Sequence, residues 1–241
     1  MKVAVIIPAA GASRRFGGRT KKIFEWIKDR PVFIRSIELF VNRDDVAGVQ
    51  LVAAAEDMEM LKTRFAANLG FMGVKLTPGG AERTDSVRNA LASIPPEADF
   101  VCVHDAVRPC VSSLWIDAVF AAAQKTGAAI LAYPVHGTLK KVDRNDRITE
   151  TIERAGLWEA QTPQVFARDL LERAYERASG PATDDAALVE ALGETVTVVR
   201  GDPRNVKITT RSDLALAEAV VDSLPIPKRA RPAGPFDEAQ W

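Results

Sequence analysis

The chain has 241 residues, 47% of them hydrophobic, and its 32 basic side chains are balanced by 32 acidic ones. That length suits one α/β domain with a core large enough to need no staples, and the neutral balance argues against a general nucleic-acid or membrane-surface binder. No apolar run approaches the roughly eighteen residues that span a bilayer, and Cys102 and Cys110 form no disulfide framework or metal pattern. A reducing cytoplasm is the expected setting.

Val3 to Pro8 (VAVIIP) is a continuous, partly β-branched apolar run, the pattern of a strand buried on both faces. It runs into the small residues Ala9-Ala10-Gly11-Ala12-Ser13, then Arg14, Arg15, Arg19, Lys21 and Lys22, with no carboxylate before Glu25. Small residues after a buried strand let backbone amides approach a ligand, and oriented amides form an anion-binding concavity. This points to a polyphosphate site at the carboxyl end of the first strand. The plainer alternatives are an ordinary strand–turn–helix connection and a solvated basic patch. Neither the Walker loop nor the dinucleotide fingerprint fits Gly11-Ala12-Ser13 or Gly17-Gly18-Arg19.

A helix opens at Pro31, with Phe33, Ile34, Ile37, Phe40 and Val41 on one face. Val49 to Ala55 is a second buried strand, Asp57 to Leu69 a helix ended by Gly70, and Val74 to Thr77 a short strand stopped by Pro78-Gly79-Gly80. A helix over Glu82 to Ile94 precedes a strand over Phe100 to Val103. A helix over Leu114 to Lys125 and a strand over Ala128 to Tyr133 follow. This alternation predicts a mostly parallel, doubly wound sheet.

The alternation breaks after Pro134. Thr138 to Val142 and Ile148 to Ile152 flank a turn-rich Asp143-Arg144-Asn145-Asp146 and read as a hairpin arm, either an oligomer contact or a solvated surface hairpin. Helices over Arg168 to Ala178 and Asp184 to Leu192, a strand over Thr195 to Val199, an extended Val206 to Thr209 and a helix from Ser212 to about Ser223 complete the domain. Residues 224–241, with Pro225, Pro227, Pro232 and Pro235 among charged residues, read as a disordered tail.

Three further stretches lie just past predicted strand ends, where open α/β sheets place their sites. In Gly79-Gly80-Ala81-Glu82-Arg83-Thr84-Asp85-Ser86-Val87, the amides and Ser86 could hold a base or ribose, or simply start a capped helix. In Val103-His104-Asp105-Ala106-Val107-Arg108-Pro109, a carboxylate at a strand tip beside polyphosphate suits Mg²⁺, although an Asp can equally cap a turn. His104 is assigned no role. Asn205-Val206-Lys207-Ile208-Thr209 sets one lysine between apolar neighbours.

Taken together, PAAGASRR with Lys22, GGAERTDSV, VHDAVRP, RAGLWEAQTPQ, TDDA and NVKIT resemble, in order and over residues 8 to 209, the 2-C-methyl-D-erythritol 4-phosphate cytidylyltransferases. The resemblance implies a Rossmann-like doubly wound fold of the nucleotide-diphospho-sugar transferase type, one domain over 1–223, with a protruding β-arm over about 135–155. It implies transfer of CMP from CTP to a sugar-alcohol phosphate with Mg²⁺ or another divalent cation, in a cytoplasmic homodimer joined through the arm. Arg15 and Lys22 would contact the CTP phosphates, Lys207 would support the metal–phosphate assembly and Asp105 would hold the metal. Ala9, Ala10, Gly11, Gly80 and Ser86 would line the cytidine pocket. Thr138 and Arg154 would bind acceptor across the dimer, and Arg108, Thr162 and Thr183 match further substrate-side positions.

The chain departs from the family pattern at Ile23 for glutamine, Ala81 for an acidic residue and Gly137 for an aspartate. The last bears on the acceptor, and ribitol 5-phosphate is the alternative acceptor. A metal-dependent glycosyltransferase would call for a second Asp after Asp105, which Asp105-Ala106-Val107 lacks. A nucleotide-binding module without catalysis need not keep Lys22, Asp105, Lys207 and Arg154 together.

Overall fold

The computed structural model describes residues 1–227 except 14, 18, 19, 179 and 181. The first half comprises β1 (Val3–Pro8), β2 (Trp26–Ile27), β3 (Arg30–Pro31), α1 (Val32–Glu38), β4 (Val46–Ala53), α2 (Met58–Arg64), α3 (Ala66–Phe71), β5 (Lys75–Pro78), α4 (Arg83–Leu91) and β6 (Phe100–Val103). The second comprises α5 (Ser113–Thr126), β7 (Ala128–Pro134), β8 (Leu139–Val142), β9 (Ile148–Ile152), β10 (Trp158–Ala167), α6 (Arg168–Arg177), α7 (Asp185–Glu190), β11 (Thr197–Arg200) and α8 (Arg211–Val220).

A seven-stranded sheet runs in the order β11-β7-β10-β6-β1-β4-β5. Strands turn alternate side chains to opposite faces, and β1 is apolar on both. Val3, Val5 and Ile7 pack with Phe33 and Ile37 of α1 and with Phe40 just beyond it. Ala4 and Ile6 pack on the other face with Val87 and Leu91 of α4 and Leu171 of α6. The sheet is therefore covered by helices on both sides, as the alternation predicted. From β1 the chain builds β4 and β5 to one side and β6 to the other. That reversal opens a crevice at the carboxyl ends of β1 and β6, the position where open α/β sheets bind ligands.

The central sheet also contains a strand that apolar periodicity did not reveal. β10 lies antiparallel between β6 and β7. Its buried positions include Gln161, Thr162 and Gln164, so the run lacks an apolar signature, and Pro163 interrupts it where the register shifts between Ala160 and Gln164. These polar groups are bonded. Gln161 Nε2 donates to the Asp202 carbonyl at 2.9 Å, and Gln164 Oε1 accepts from the amides of Asp185 and Ala186 at 3.1 Å.

Three smaller expectations are corrected. The helix over Asp57 to Leu69 is two helices, α2 and α3, broken at Phe65, whose ψ of 8° is not helical. Gly70 lies inside α3, and the left-handed residue that follows the helix is Gly73, with φ +64°. The last helix starts at Arg211, capped by Thr210, whose hydroxyl accepts from the Asp213 amide while the Asp213 carboxylate accepts from the Thr210 amide. The β2–β3 hairpin was not anticipated.

β8 and β9 form a separate two-stranded sheet, with every side chain exposed except the half-buried Ile152. Of the tail expected over 224–241, residues 228–241 lie outside the described residues. Leu224 packs against the core and the Pro225 carbonyl accepts a hydrogen bond from Ser112 Oγ.

Phe166 is fully buried on β10, so Phe166→Ala should cost about 3–5 kcal/mol of stability in urea unfolding, the range for emptying a packed aromatic site. A loss below about 1 kcal/mol would contradict the burial of this strand.

Candidate active site

The crevice holds a cavity of about 350 Å³ between the end of β1, the turn before α4 and the end of β6. Ala9, Ala10 and Gly11 form one wall, Gly80 and Ser86 another, and Lys22, Asp105 and Lys207 lie between them. Close backbone approach explains the glycines of the second wall. A Cβ on Gly79 would stand 2.7 Å from Ala10 Cβ, and one on Gly80 would stand 2.3 Å from Asp85 Cβ. The wall is tied to α4 by the Gly80 amide donating to Ser86 Oγ at 3.1 Å, and by a capping box between Glu82 and Asp85.

The basic cluster after β1 divides its labour. Lys22 Nζ donates to the Ile208 carbonyl at 3.0 Å, and burial, reinforced by Lys207, lowers its pKa. Lys21 turns away to Glu56 and Asp57. Arg15 is exposed on the turn, near enough to oppose the charge on Lys22. Arg14 and Arg19 lie outside the described residues.

Asp105 is the centre of the polar core. Its Oδ2 accepts from Lys207 Nζ at 2.8 Å and from Arg108 Nε at 3.3 Å, and its amide donates to Thr162 Oγ1 at 3.0 Å. Burial opposes the carboxylate charge, but Lys207, Arg83 and Arg108 together outweigh it and hold the group well below the usual carboxylate range. His104 lies beneath. Its Nε2 donates to the Arg108 carbonyl at 3.0 Å, and its Nδ1 therefore accepts from the Thr162 hydroxyl at 3.1 Å. Burial holds this imidazole neutral, with a pKa of about 4.

The donor set fits a magnesium ion that brings substrate phosphates with it. Such ions take one or two carboxylates and fill the remaining positions with water and phosphate oxygens. Asp105 supplies one ionised carboxylate, and its Oδ1 has no donor among the described residues. Among those residues no group of three or more acidic, His or Cys side chains gathers into a protein-only cage.

A second cavity, of about 230 Å³, lies beside the first and is lined by Arg108, Gln161, Thr162, Thr183 and Asp184. Arg83, Asp105 and Lys207 line both. Of the residues singled out in the sequence, Ala9, Ala10, Gly11, Lys22, Gly80, Ser86, Asp105 and Lys207 converge on the first cavity. Arg108, Thr162 and Thr183 converge on the second. Arg15, Thr138 and Arg154 line neither within one chain.

Sequence reasoning missed Arg83, Asp185 and Asn205. Arg83 Nη2 donates to Asp185 Oδ2 at 2.6 Å, and Tyr175 Oη donates to the other oxygen of Asp185, which is fully buried. Asn205 presents its carbonyl to Arg108 Nη1 at 2.8 Å and its Nδ2 to the Thr162 carbonyl at 2.9 Å. All three lie in stretches already picked out, but only packing shows that these polar side chains turn inward.

A family model described as IspD, 2-C-methyl-D-erythritol 4-phosphate cytidylyltransferase, matches residues 3–223. The chain is 40% identical over 232 residues to a 2-C-methyl-D-erythritol 4-phosphate cytidylyltransferase of Rhodopirellula baltica, covering 91% of this chain and 95% of that protein. It is 43% identical over 222 residues to the protein of that name from Salinibacter ruber, covering 90% and 92%. Among solved structures, a 2-C-methyl-D-erythritol 4-phosphate cytidylyltransferase of Thermus thermophilus is similar with a TM-score of 0.76 at 33% identity, covering 92% of this chain and 100% of that one. A 4-diphosphocytidyl-2C-methyl-D-erythritol synthase is similar with a TM-score of 0.77 at 31% identity, covering 92% and 99%.

Arg83→Met would leave the buried Asp185 without its cation, so it should destabilise the protein by about 3–5 kcal/mol in urea unfolding. Adding Asp185→Asn should recover part of the loss, because the stranded charge is gone. No recovery in the double variant would count against this pair as the cause.

Proposed function

The chain belongs to the 2-C-methyl-D-erythritol 4-phosphate cytidylyltransferase family, and from that we propose how its own residues divide the work. The reaction transfers CMP from CTP to 2-C-methyl-D-erythritol 4-phosphate, giving 4-diphosphocytidyl-2-C-methyl-D-erythritol and pyrophosphate in isoprenoid precursor synthesis. An acceptor phosphate oxygen attacks the α-phosphorus of CTP, a new P–O bond forms, and the bond to the bridging oxygen of pyrophosphate breaks. The attacking group is already an anion, so no general base is required. Catalysis rests on alignment and charge neutralisation.

One observation carries the residue assignment: two adjoining cavities share Arg83, Asp105 and Lys207. CTP takes the larger cavity, with cytidine against Ala9, Ala10, Gly11, Gly80 and Ser86 and the phosphates toward Lys22 and Arg15. The acceptor takes the smaller one, against Arg108, Thr162 and Thr183, so that the two phosphates meet at the shared residues. Lys22 and Arg15 stabilise the charge that grows on the α-phosphoryl oxygens. Lys207 holds the acceptor phosphate against the same charge. Magnesium, held by Asp105, would supply positive charge that neutralises the CTP phosphates.

Thr138 and Arg154 are exposed on and beside the hairpin, and Arg154 donates to the His136 carbonyl. Their absence from the linings of their own chain's two cavities supports a homodimer in which each arm completes the partner's acceptor site. An arginine suits bidentate capture of a phosphate there. Among the described residues no helix is long and apolar enough to cross a membrane; a cytoplasmic enzyme is the setting we propose.

The deciding assay is pyrophosphate release with CTP and Mg²⁺, offering methylerythritol phosphate and ribitol phosphate in parallel. Release should depend on methylerythritol phosphate; release with ribitol phosphate alone would redirect the acceptor assignment to Gly137 and the arm. Lys22→Ala and Arg15→Ala should each lower kcat by about a hundredfold or more, the scale for losing one preorganised charge. Near-normal turnover in both would remove these catalytic assignments.

Complementation tests the dimer. Lys22→Ala and Arg154→Ala, each nearly inactive alone, should on subunit exchange recover roughly a quarter of wild-type activity, since half the dimers are mixed and each has one intact site. No recovery after verified exchange would sink the shared-site arrangement.

A further inference from the structure

Lys21 and Lys22 are sequence neighbours that leave the chain on opposite sides. Lys21 has an extended backbone, with φ −66° and ψ 141°, the conformation in which successive side chains diverge. Lys22 reaches the Ile208 carbonyl and the nucleotide cavity. Lys21 emerges behind the loop, in a separate hollow lined by Phe24, Trp26 and Phe65. There its Nζ donates to Asp57 Oδ2 at 2.6 Å and to Glu56 Oε1 at 2.8 Å.

This is not a solvated surface pair of small consequence. The Asp57 side chain is only 7% exposed. Burial works against the Lys21 charge, yet Asp57 and Glu56 more than offset it and raise its pKa. The backbone that carries both carboxylates is regular, since Ala55–Asp57 is a 3-10 turn that leads from β4 into α2. The loop in between needs such a pin. Among its described residues it contains Gly17 at φ +70° and Ser13 at φ +54°, left-handed positions that make no regular backbone ladder. Buried Phe16 is a further anchor.

We propose that Lys21 is a positioning residue: gripped by Glu56 and Asp57, it fastens the phosphate loop to the end of β4 and so aims Lys22 at the CTP phosphates. The proposal rests on residues 9–22 being the phosphate-binding loop. The ordering of Lys22 is then completed during folding rather than charged against each binding event, which is how preorganisation raises turnover.

Lys21→Met alone strands a buried carboxylate, so it lowers stability whatever the role of the pair. The informative variant is Lys21→Met/Asp57→Leu, which removes the clamp without leaving a buried charge unpaired, since the remaining Glu56 carboxylate is 67% exposed. Its urea midpoint should stay near wild type while kcat for pyrophosphate release falls roughly ten- to hundredfold, the cost of a small misplacement of a catalytic group. The KM for methylerythritol phosphate should stay within about twofold, because the acceptor pocket is untouched. Lys21→Arg, which keeps the cation, should retain kcat within about threefold. Should the apolar pair fail to fold, Lys21→Gln/Asp57→Asn carries the same expectation. Wild-type kcat in a stable uncoupled variant would overturn the clamp, whereas a wild-type protein that releases no pyrophosphate counts against the reading of the loop itself.

Discussion

A single carboxylate, kept ionised where water barely reaches it, organises this molecule. Asp105 has a side chain only 9% exposed, and isolated burial would force it to neutralise. It keeps its charge because Lys207 and Arg108 bond to it and Arg83 lies near. Those cations come from the last irregular segment before α8, from the turn after β6 and from the first turn of α4. Two of them have support of their own: Arg108 leans on the Asn205 carbonyl and Arg83 on buried Asp185. Breaking one of these pairs therefore unsettles several elements at once.

The antiparallel strand β10 makes the arrangement possible. A purely parallel sheet would bring only βα loops to the crevice. By running the other way between β6 and β7, β10 delivers Gln161 and Thr162 to the carboxyl end of β6. There Thr162 bonds the Asp105 amide and His104 together. The strand's polar centre is thus a junction between the sheet and the site, and each of these buried groups has a partner, as burial demands. His104, which had no role on sequence grounds, is a neutral link in this network.

The loop after β1 shows how one patch of charge can divide between two environments. From composition it was a cluster of cations beside a glycine turn. In the fold, Lys22 is drawn into the crevice and its charge is weakened by burial, while Lys21 is neutralised on the outer side by two carboxylates. In the proposed roles, a cation facing substrate must stay unsatisfied enough to bind it, and a cation holding the backbone must not. Two adjacent residues of one type meet both requirements because an extended backbone sends them apart.

The sequence by itself determined the doubly wound sheet, because β1, β4 and β6 are apolar on both faces and helical periodicity separates them. It also determined part of the cavity wall, because Gly79 and Gly80 mark places where the chain must pack closely. It identified the family, because short motifs in a set order are specific even when each is weak. Tertiary structure alone decided that Trp158–Ala167 is a central strand, that Phe65 splits a helix and that Arg83, Asp185 and Asn205 turn inward. These outcomes share a cause. Polar side chains such as Gln161 and Asp185 enter a core only when partners distant in the chain bond them there, and periodicity within a short window carries no record of those partners.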